Sequence, residues 1–226
     1  MDIHDRYSRV CETVAEACAC AGRDPADVTL VAISKRQTET SVEALLKLGH
    51  LDLGENLVQA WRERAQRFTN TDIRWHLVGA VQTNKAKYIA ASPPSLLHTV
   101  DRSSLVEALQ RRIPRERPLK CLIQVNVDQE AQKAGCAPDE LDRLADEVLA
   151  SQSLQLCGLM CIPRPVDGQT PRAAFARTRQ LLEQISDRLP RNAILSMGMS
   201  GDYEAAIAEG STLVRVGTAI FGPREP

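Results

Sequence analysis

What the 226-residue chain lacks narrows its class before any motif is read. No apolar run approaches the ~18 residues that a membrane span needs. The opening Met1-Asp2-Ile3-His4-Asp5-Arg6 carries two acids and starts no apolar core of a secretory signal. Neither sign of charge prevails: 28 Lys and Arg stand against 29 Asp and Glu, a net charge of −1. No global field therefore draws the protein to nucleic acid or an anionic membrane, and any anionic ligand has to be held by a local site. Low-complexity segments and interdomain linkers are missing too. Hydrophobic content of 43% and charged content of 25% are those of an ordinary globular protein, which excludes wholesale disorder, collagen-like repeats and a simple coiled coil. The seven cysteines, at 11, 18, 20, 121, 136, 157 and 161, are odd in number, and neither close pair has zinc spacing. They read as reduced, mostly buried thiols of a cytoplasmic protein.

What is present is a repeat of one unit: a short apolar run, a polar turn, an amphipathic helix. A helix over 2–22 comes first, with Ile3, Tyr7, Val10, Val14 and Cys18 at helical spacing and Gly22 as its stop. Strand runs are predicted at 28–33, 51–53, 73–78, 96–100, 119–127, 154–162, 193–197 and 213–216. Helices between them are predicted near 40–48, 57–67, 82–91, 103–112, 139–150, 172–188 and 201–209. Thr40 and Glu43 have capping-box spacing for the first of these. Pro163 to Pro171 reads as a mobile loop. Strict β–α alternation implies a parallel sheet, and eight units closing on themselves make a single α/β domain over 1–226, a (β/α)8 TIM barrel with an extra N-terminal helix. An open doubly wound sheet is the competing architecture, because the second, fourth and seventh runs are weak.

A barrel of this kind builds its site from the loops after the strand C-termini, and phosphate binds after strands seven and eight. The first strand ends in Ile33-Ser34-Lys35, a lysine that on position alone is either a solvated surface residue or a partly desolvated amine able to act as a nucleophile. The second ends in Gly54-Glu55-Asn56, and the third is followed by Gln82-Thr83-Asn84-Lys85. Asn56 and Asn84 could equally cap helices, and Lys85 and Lys87 could line a solvated face. Met199-Ser200-Gly201-Asp202 follows strand seven, where a bare backbone and a hydroxyl suit an anion, or where Ser200 simply caps a helix. Strand eight carries Arg215 between valines, an arginine that needs a partner if buried, and then Gly217-Thr218. An amine and a phosphate cup on one barrel mouth suit pyridoxal phosphate or a phosphorylated sugar handled by an aldolase.

The sequence resembles the pyridoxal phosphate homeostasis protein family (YggS/PROSC type) over nearly its whole length. The likeness rests on Val31-Ala32-Ile33-Ser34-Lys35, Gly54-Glu55-Asn56, Arg74-Trp75-His76, Gln82-Thr83-Asn84-Lys85, Gln124-Val125-Asn126 and Gly158-Leu159-Met160. Its most specific stretches are Leu195-Ser196-Met197-Gly198-Met199-Ser200-Gly201-Asp202 and Arg215-Val216-Gly217-Thr218-Ala219-Ile220-Phe221-Gly222. The resemblance implies the barrel half of alanine racemase, fold type III among pyridoxal phosphate proteins. It implies pyridoxal 5'-phosphate as cofactor, held as an internal aldimine on Lys35. Ser200, Gly201, Gly217 and Thr218 would then hold the phosphate, Arg215 would lie at the pyridine nitrogen and Asn56 near the ring; Met197 of the same motif joins the cofactor-binding set. The implied role is storage, buffering or delivery of the cofactor, with apo forms of dependent enzymes as recipients.

Three departures stand out: Arg36-Gln37-Thr38 where the family commonly has Thr-Lys-Pro, Leu57 for a tyrosine, and Ala80 for a histidine. The last removes an imidazole beside the ring. The expectation is a monomeric carrier with no catalytic residues rather than an enzyme. After Phe221 only five residues remain, none for the second domain that gives racemases of this type an acid/base tyrosine, so the site would be open to water. An arginine at the ring nitrogen also disfavours its protonation and weakens the ring as an electron sink. A racemase and a barrel aldolase are the alternatives.

Overall fold

In the computed structural model of the protein, residues 2–223 are described except 70, 131 and 165–169, so most of the expected 163–171 loop lies outside the described residues. The first element is the helix α1 (Ile3–Cys20), capped by the Asp2 carboxylate. Eight strands and eight helices alternate after it: β1 (Thr29–Ile33), α2 (Glu39–Lys47), β2 (Asp52–Glu55), α3 (Val58–Arg67), β3 (Arg74–Leu77), α4 (Ala86–Ala91), β4 (Leu96–Val100) and α5 (Ser103–Gln110). Then come β5 (Leu119–Val125), α6 (Leu141–Ala150), β6 (Leu154–Cys161), α7 (Arg172–Gln184), β7 (Ile194–Ser196), α8 (Tyr203–Ala208), β8 (Leu213–Val216) and α9 (Thr218–Phe221).

The strands are all parallel and close in sequence order. Closure is made by β1 against β8, with Val31 beside Arg215, which excludes the open doubly wound sheet. The thinnest seam is β7 against β8, a single register pair, Ser196 with Leu213. Side chains complete it: the Ser211 hydroxyl lies 2.8 Å from the Met197 carbonyl, and Thr212 Oγ1 accepts from the Leu195 N–H at 2.8 Å.

Two apolar layers follow from the period-2 alternation of strand side chains. The larger lies between barrel and helices and includes Trp61, Leu77, Ile123, Phe175 and Val216. The smaller fills the barrel axis with Val31, Ile33, Leu96, Leu122, Met160 and Leu213. Gly54 shares that axis because a side chain there would strike Ile33. Gly79, just past β3, has to be glycine because a Cβ would fall on the Asn56 carbonyl. This brings the β2 and β3 loops into direct contact at the mouth.

The structure corrects several local expectations. Thr38, not Thr40, caps α2, accepting from the Ser41 N–H at 3.1 Å. The helix expected from Ser200–Gly201 begins only at Tyr203, because Asp202 turns back to accept from the Met199 N–H at 2.6 Å. Neither Asn56 nor Asn84 caps a helix: Leu57 and Gln82 stand at those positions. Lys85 and Lys87 both lie over the Tyr88 ring. All seven cysteines are free, and Cys20 is exposed rather than buried. Among the described residues, no helix is long and apolar enough to cross a membrane.

Candidate functional site

Lys35 sits one residue beyond the Ser34 that ends the β1 ladder, in a turn closed by the Gln37 N–H donating to the Ser34 carbonyl at 3.0 Å. Arg36 next to it takes the left-handed conformation, φ 59°. The turn is anchored from below. The Ser34 hydroxyl donates to Glu55 Oε1 at 2.8 Å, and Arg64 Nε lies 3.2 Å from the same oxygen. Arg64 Nη2 also donates to the Gln37 carbonyl at 2.8 Å. Glu55 is 1% exposed, and its other oxygen has no hydrogen-bond partner among the described residues. Burial pushes the Glu55 carboxyl up from its ordinary value, opposed by the Ser34 hydroxyl and by the charges of Arg64 and Lys35. Removing one member of a buried ion pair strands the other, at a cost of about 3–5 kcal/mol. Arg64→Ala is therefore expected to lower stability by roughly that amount in chemical denaturation, and a second change, Glu55→Gln, to restore part of it.

β2 and β8 flank β1, so Lys35 stands between two other strand ends. On one side is Asn56, half-buried, its side chain making no hydrogen bond among the described residues. On the other is Gly217, where a Cβ would lie 3.4 Å from the Ile33 backbone oxygen. The Ser200 hydroxyl ties the loop after β7 to the loop after β8, accepting from the Gly217 N–H at 3.1 Å and from the Ala219 N–H at 3.4 Å. Its own proton remains available. The N–H groups of Ser200, Gly201 and Thr218 have no acceptor among the described residues. The Thr218 hydroxyl is exposed, and a Cβ on Gly201 would meet open space. Three N–H groups and two hydroxyls in one hollow suit a phosphate dianion.

Arg215 lies beneath, 4% exposed. Its Nη1 donates to Ser196 Oγ at 2.6 Å and its Nη2 to the Cys161 carbonyl at 2.8 Å. Burial pushes its guanidinium down from the ordinary value, while Cys161 and Asp202 act the other way. No carboxylate pairs with it among the described residues. A buried cation held only by neutral oxygens is a site that an acceptor on a ligand would complete.

The geometry thus brings Lys35, Asn56, Ser200, Gly201, Gly217 and Thr218 to one rim with Arg215 below. Met197 is set apart. It is fully buried in the shell between barrel and helices, and its N–H and carbonyl are engaged by Leu213 and Ser211. Sequence reasoning missed the Glu55–Arg64 brace and a polar chain inside the barrel. The available signal was a charged or imidazole side chain in the middle of a buried strand run, as at His76 and His98.

Comparison with known proteins places the chain among its relatives. Residues 27–225 match the family described as alanine racemase, N-terminal domain. The chain is 41% identical over 225 residues to the pyridoxal phosphate homeostasis protein of Pseudomonas aeruginosa, covering 99% of this chain and 96% of that one. It is 37% identical over 229 residues to the protein of that name from Escherichia coli, covering 99% and 97%. Among solved structures, PipY of Synechococcus elongatus with PLP bound superposes at a TM-score of 0.78 and 33% identity, over 92% of this chain and 100% of that one.

Proposed function

Since the chain belongs to the pyridoxal phosphate homeostasis protein family, we propose that it binds pyridoxal 5'-phosphate at the barrel mouth and serves its homeostasis through a reversible covalent hold on Lys35. The observation carrying this reading is the placement of one half-buried lysine between Asn56 and the Ser200–Thr218 hollow, above a buried guanidinium without a carboxylate. When bound, the cofactor supplies an aldehyde with which an amine condenses reversibly. Lys35 offers that amine, and the turn braced by Glu55 and Arg64 fixes where it stands. Ser200, Gly201 and Thr218 bind the phosphate through N–H groups and hydroxyls, and Gly217 serves the same hollow by leaving it without a side chain and by tying its N–H to Ser200. Asn56 packs beside the ring, Met197 supports the floor from the apolar shell, and Arg215 donates to the ring nitrogen.

A guanidinium keeps its charge at neutral pH, so Arg215 disfavours a proton on that nitrogen and leaves the ring a weak electron sink. This arrangement suits retention and release over bond-breaking at an amino acid. Free thiols support a reducing, cytoplasmic setting. Leu57, Leu149 and Met199 are the large apolar side chains exposed among the described residues, and so small a number supports a monomer. Apo forms of dependent enzymes are the recipients this reading calls for.

The test is retention. Protein incubated with pyridoxal 5'-phosphate and then desalted is expected to keep about one equivalent, seen as a visible absorption band and released by alkali. A desalted protein with no band overturns the reading.

A further inference from the structure

A second polar system runs up the barrel axis. Asp52 begins β2 at the end opposite the mouth and is bound there by Arg74, Nε to Oδ1 at 2.8 Å. His76 Nε2 lies 3.1 Å from Asp52 Oδ1. His76 Nδ1 lies 3.0 Å from His98 Nε2, and His98 Nδ1 lies 3.0 Å from Ser196 Oγ. Ser196 Oγ is the atom that Arg215 Nη1 meets at 2.6 Å. His76 is 5% exposed, and His98 and Ser196 are fully buried.

Donor and acceptor chemistry orders the protons of this chain from the Asp52 end. A carboxylate only accepts, so a neutral His76 carries its proton on Nε2, donated to Asp52, and its bare Nδ1 accepts from His98 Nε2. The neutral His98 ring is then bare at Nδ1, which leaves the Ser196 O–H to donate there while Ser196 accepts from Arg215, since arginine only donates. With both rings neutral, every donor points away from the mouth. One further proton on His76 permits a different order. His76 then donates from both nitrogens, His98 switches to the Nδ1–H form, and Ser196 accepts from His98 and Arg215 together.

We propose that Asp52, His76, His98 and Ser196 are positioning residues for Arg215, forming one proton-ordered chain by which protonation of His76 at the far end of the barrel resets the hydrogen bonding of Arg215 at the mouth. The proposal rests on the reading that Arg215 meets the cofactor. Groups facing His76 are Asp52 from β2, Arg74 from β3, His98 from β4 and His50 from the approach to β2, itself bonded to Tyr7 of α1 at 3.2 Å. Burial pushes the Asp52 carboxyl up, but hydrogen bonds from His76 and Arg74 outweigh this and hold it below the ordinary carboxylate range. Burial, then His76 and Arg215, hold the His98 imidazole well below its ordinary value, so His98 passes the change on by switching tautomer rather than by charging.

Nitrogen-15 spectra of histidine-labelled protein without cofactor are the first test. Both rings are expected as Nε2–H tautomers while both are neutral, and His98 is expected to become Nδ1–H in step with His76 protonation. An Nδ1–H His98 beside a neutral His76, or a His98 that ignores His76, overturns the proposal. The second test uses the loaded protein. Asp52→Asn removes the anion that accepts from His76 and is expected to move the pH transition of the cofactor's absorption band downward. Ser196→Ala keeps both histidines but is expected to uncouple the band from them. A band transition that stays in place in either variant while His76 titrates overturns the proposal. If desalted protein retains no cofactor, the cofactor reading fails, and the tautomer spectra alone decide the chain.

Discussion

After loading with pyridoxal 5'-phosphate and reduction with borohydride, the pyridoxyl mass is expected on the peptide that contains Lys35, and Lys35→Ala is expected to carry none. The placement of the other candidate amines underlies the expected selectivity. Lys133 lies 2.6 Å from Glu130 and 3.1 Å from the Pro163 carbonyl. Lys85 and Lys87 share the Tyr88 ring at 5.6 and 5.0 Å. Lys35 alone follows the strand flanked by both Asn56 and the Ser200–Gly217 hollow. Its turn is held in place by Arg64 and Ser34, so the backbone from which the Lys35 side chain extends is fixed at the mouth. In Lys35→Ala the phosphate hollow remains, and weak cofactor binding without a visible band is expected to survive. Peptide mass spectrometry decides the matter: the mass on Lys85 or Lys133 in the parent protein would exclude Lys35 as the covalent site.

Most of the barrel was legible because its signal is local. Apolar runs such as Leu119–Val125 and Leu154–Cys161 announce themselves, and capped amphipathic segments separate them. The rim residues were legible for the same reason, since each lies within a few residues after a strand end. The misses have two causes. Where several hydroxyl residues crowd together, as at Thr38, Thr40 and Ser41, spacing does not say which one caps; burial of Val42 and Leu45 sets the phase of α2, and Thr38 is the residue left at its entrance. The other cause is long range. Asp52, His76, His98, Ser196 and Arg215 lie on five different strands, and only closure of the barrel makes them neighbours. Their signal in the sequence was indirect. A histidine inside Leu96-Leu97-His98-Thr99-Val100 is buried on every side and has to find a partner, but nothing local names it. The Glu55–Arg64 brace is of the same kind, because the helix that supplies Arg64 packs on the strand end that supplies Glu55.

Ser200→Ala with Thr218→Ala is expected to weaken retention of pyridoxal 5'-phosphate by a hundredfold or more while leaving pyridoxal, which lacks the phosphate, far less affected. A hydrogen bond to a charged group contributes roughly 1.5–3 kcal/mol, so two of them reach that factor if they add, at about 1.4 kcal/mol per tenfold. The structure ranks the two changes. Thr218 is exposed and offers only its hydroxyl and N–H. Ser200 also accepts from the Gly217 and Ala219 N–H groups, which joins the two loops that make the hollow. Ser200→Ala is therefore expected to cost more than Thr218→Ala and to loosen the loop after β8, where Gly217 loses its acceptor. Gly201→Ala separates loss of a ligand contact from damage to the fold. A methyl group there meets no protein atom, so thermal stability of the free protein is expected to be unchanged. A phosphate seated against the bare backbone would meet that methyl, so retention of the phosphorylated form is expected to fall. Binding isotherms for pyridoxal 5'-phosphate and pyridoxal on the double variant and the three single variants decide the matter: equal losses for both ligands would mean that these residues do not face the phosphate.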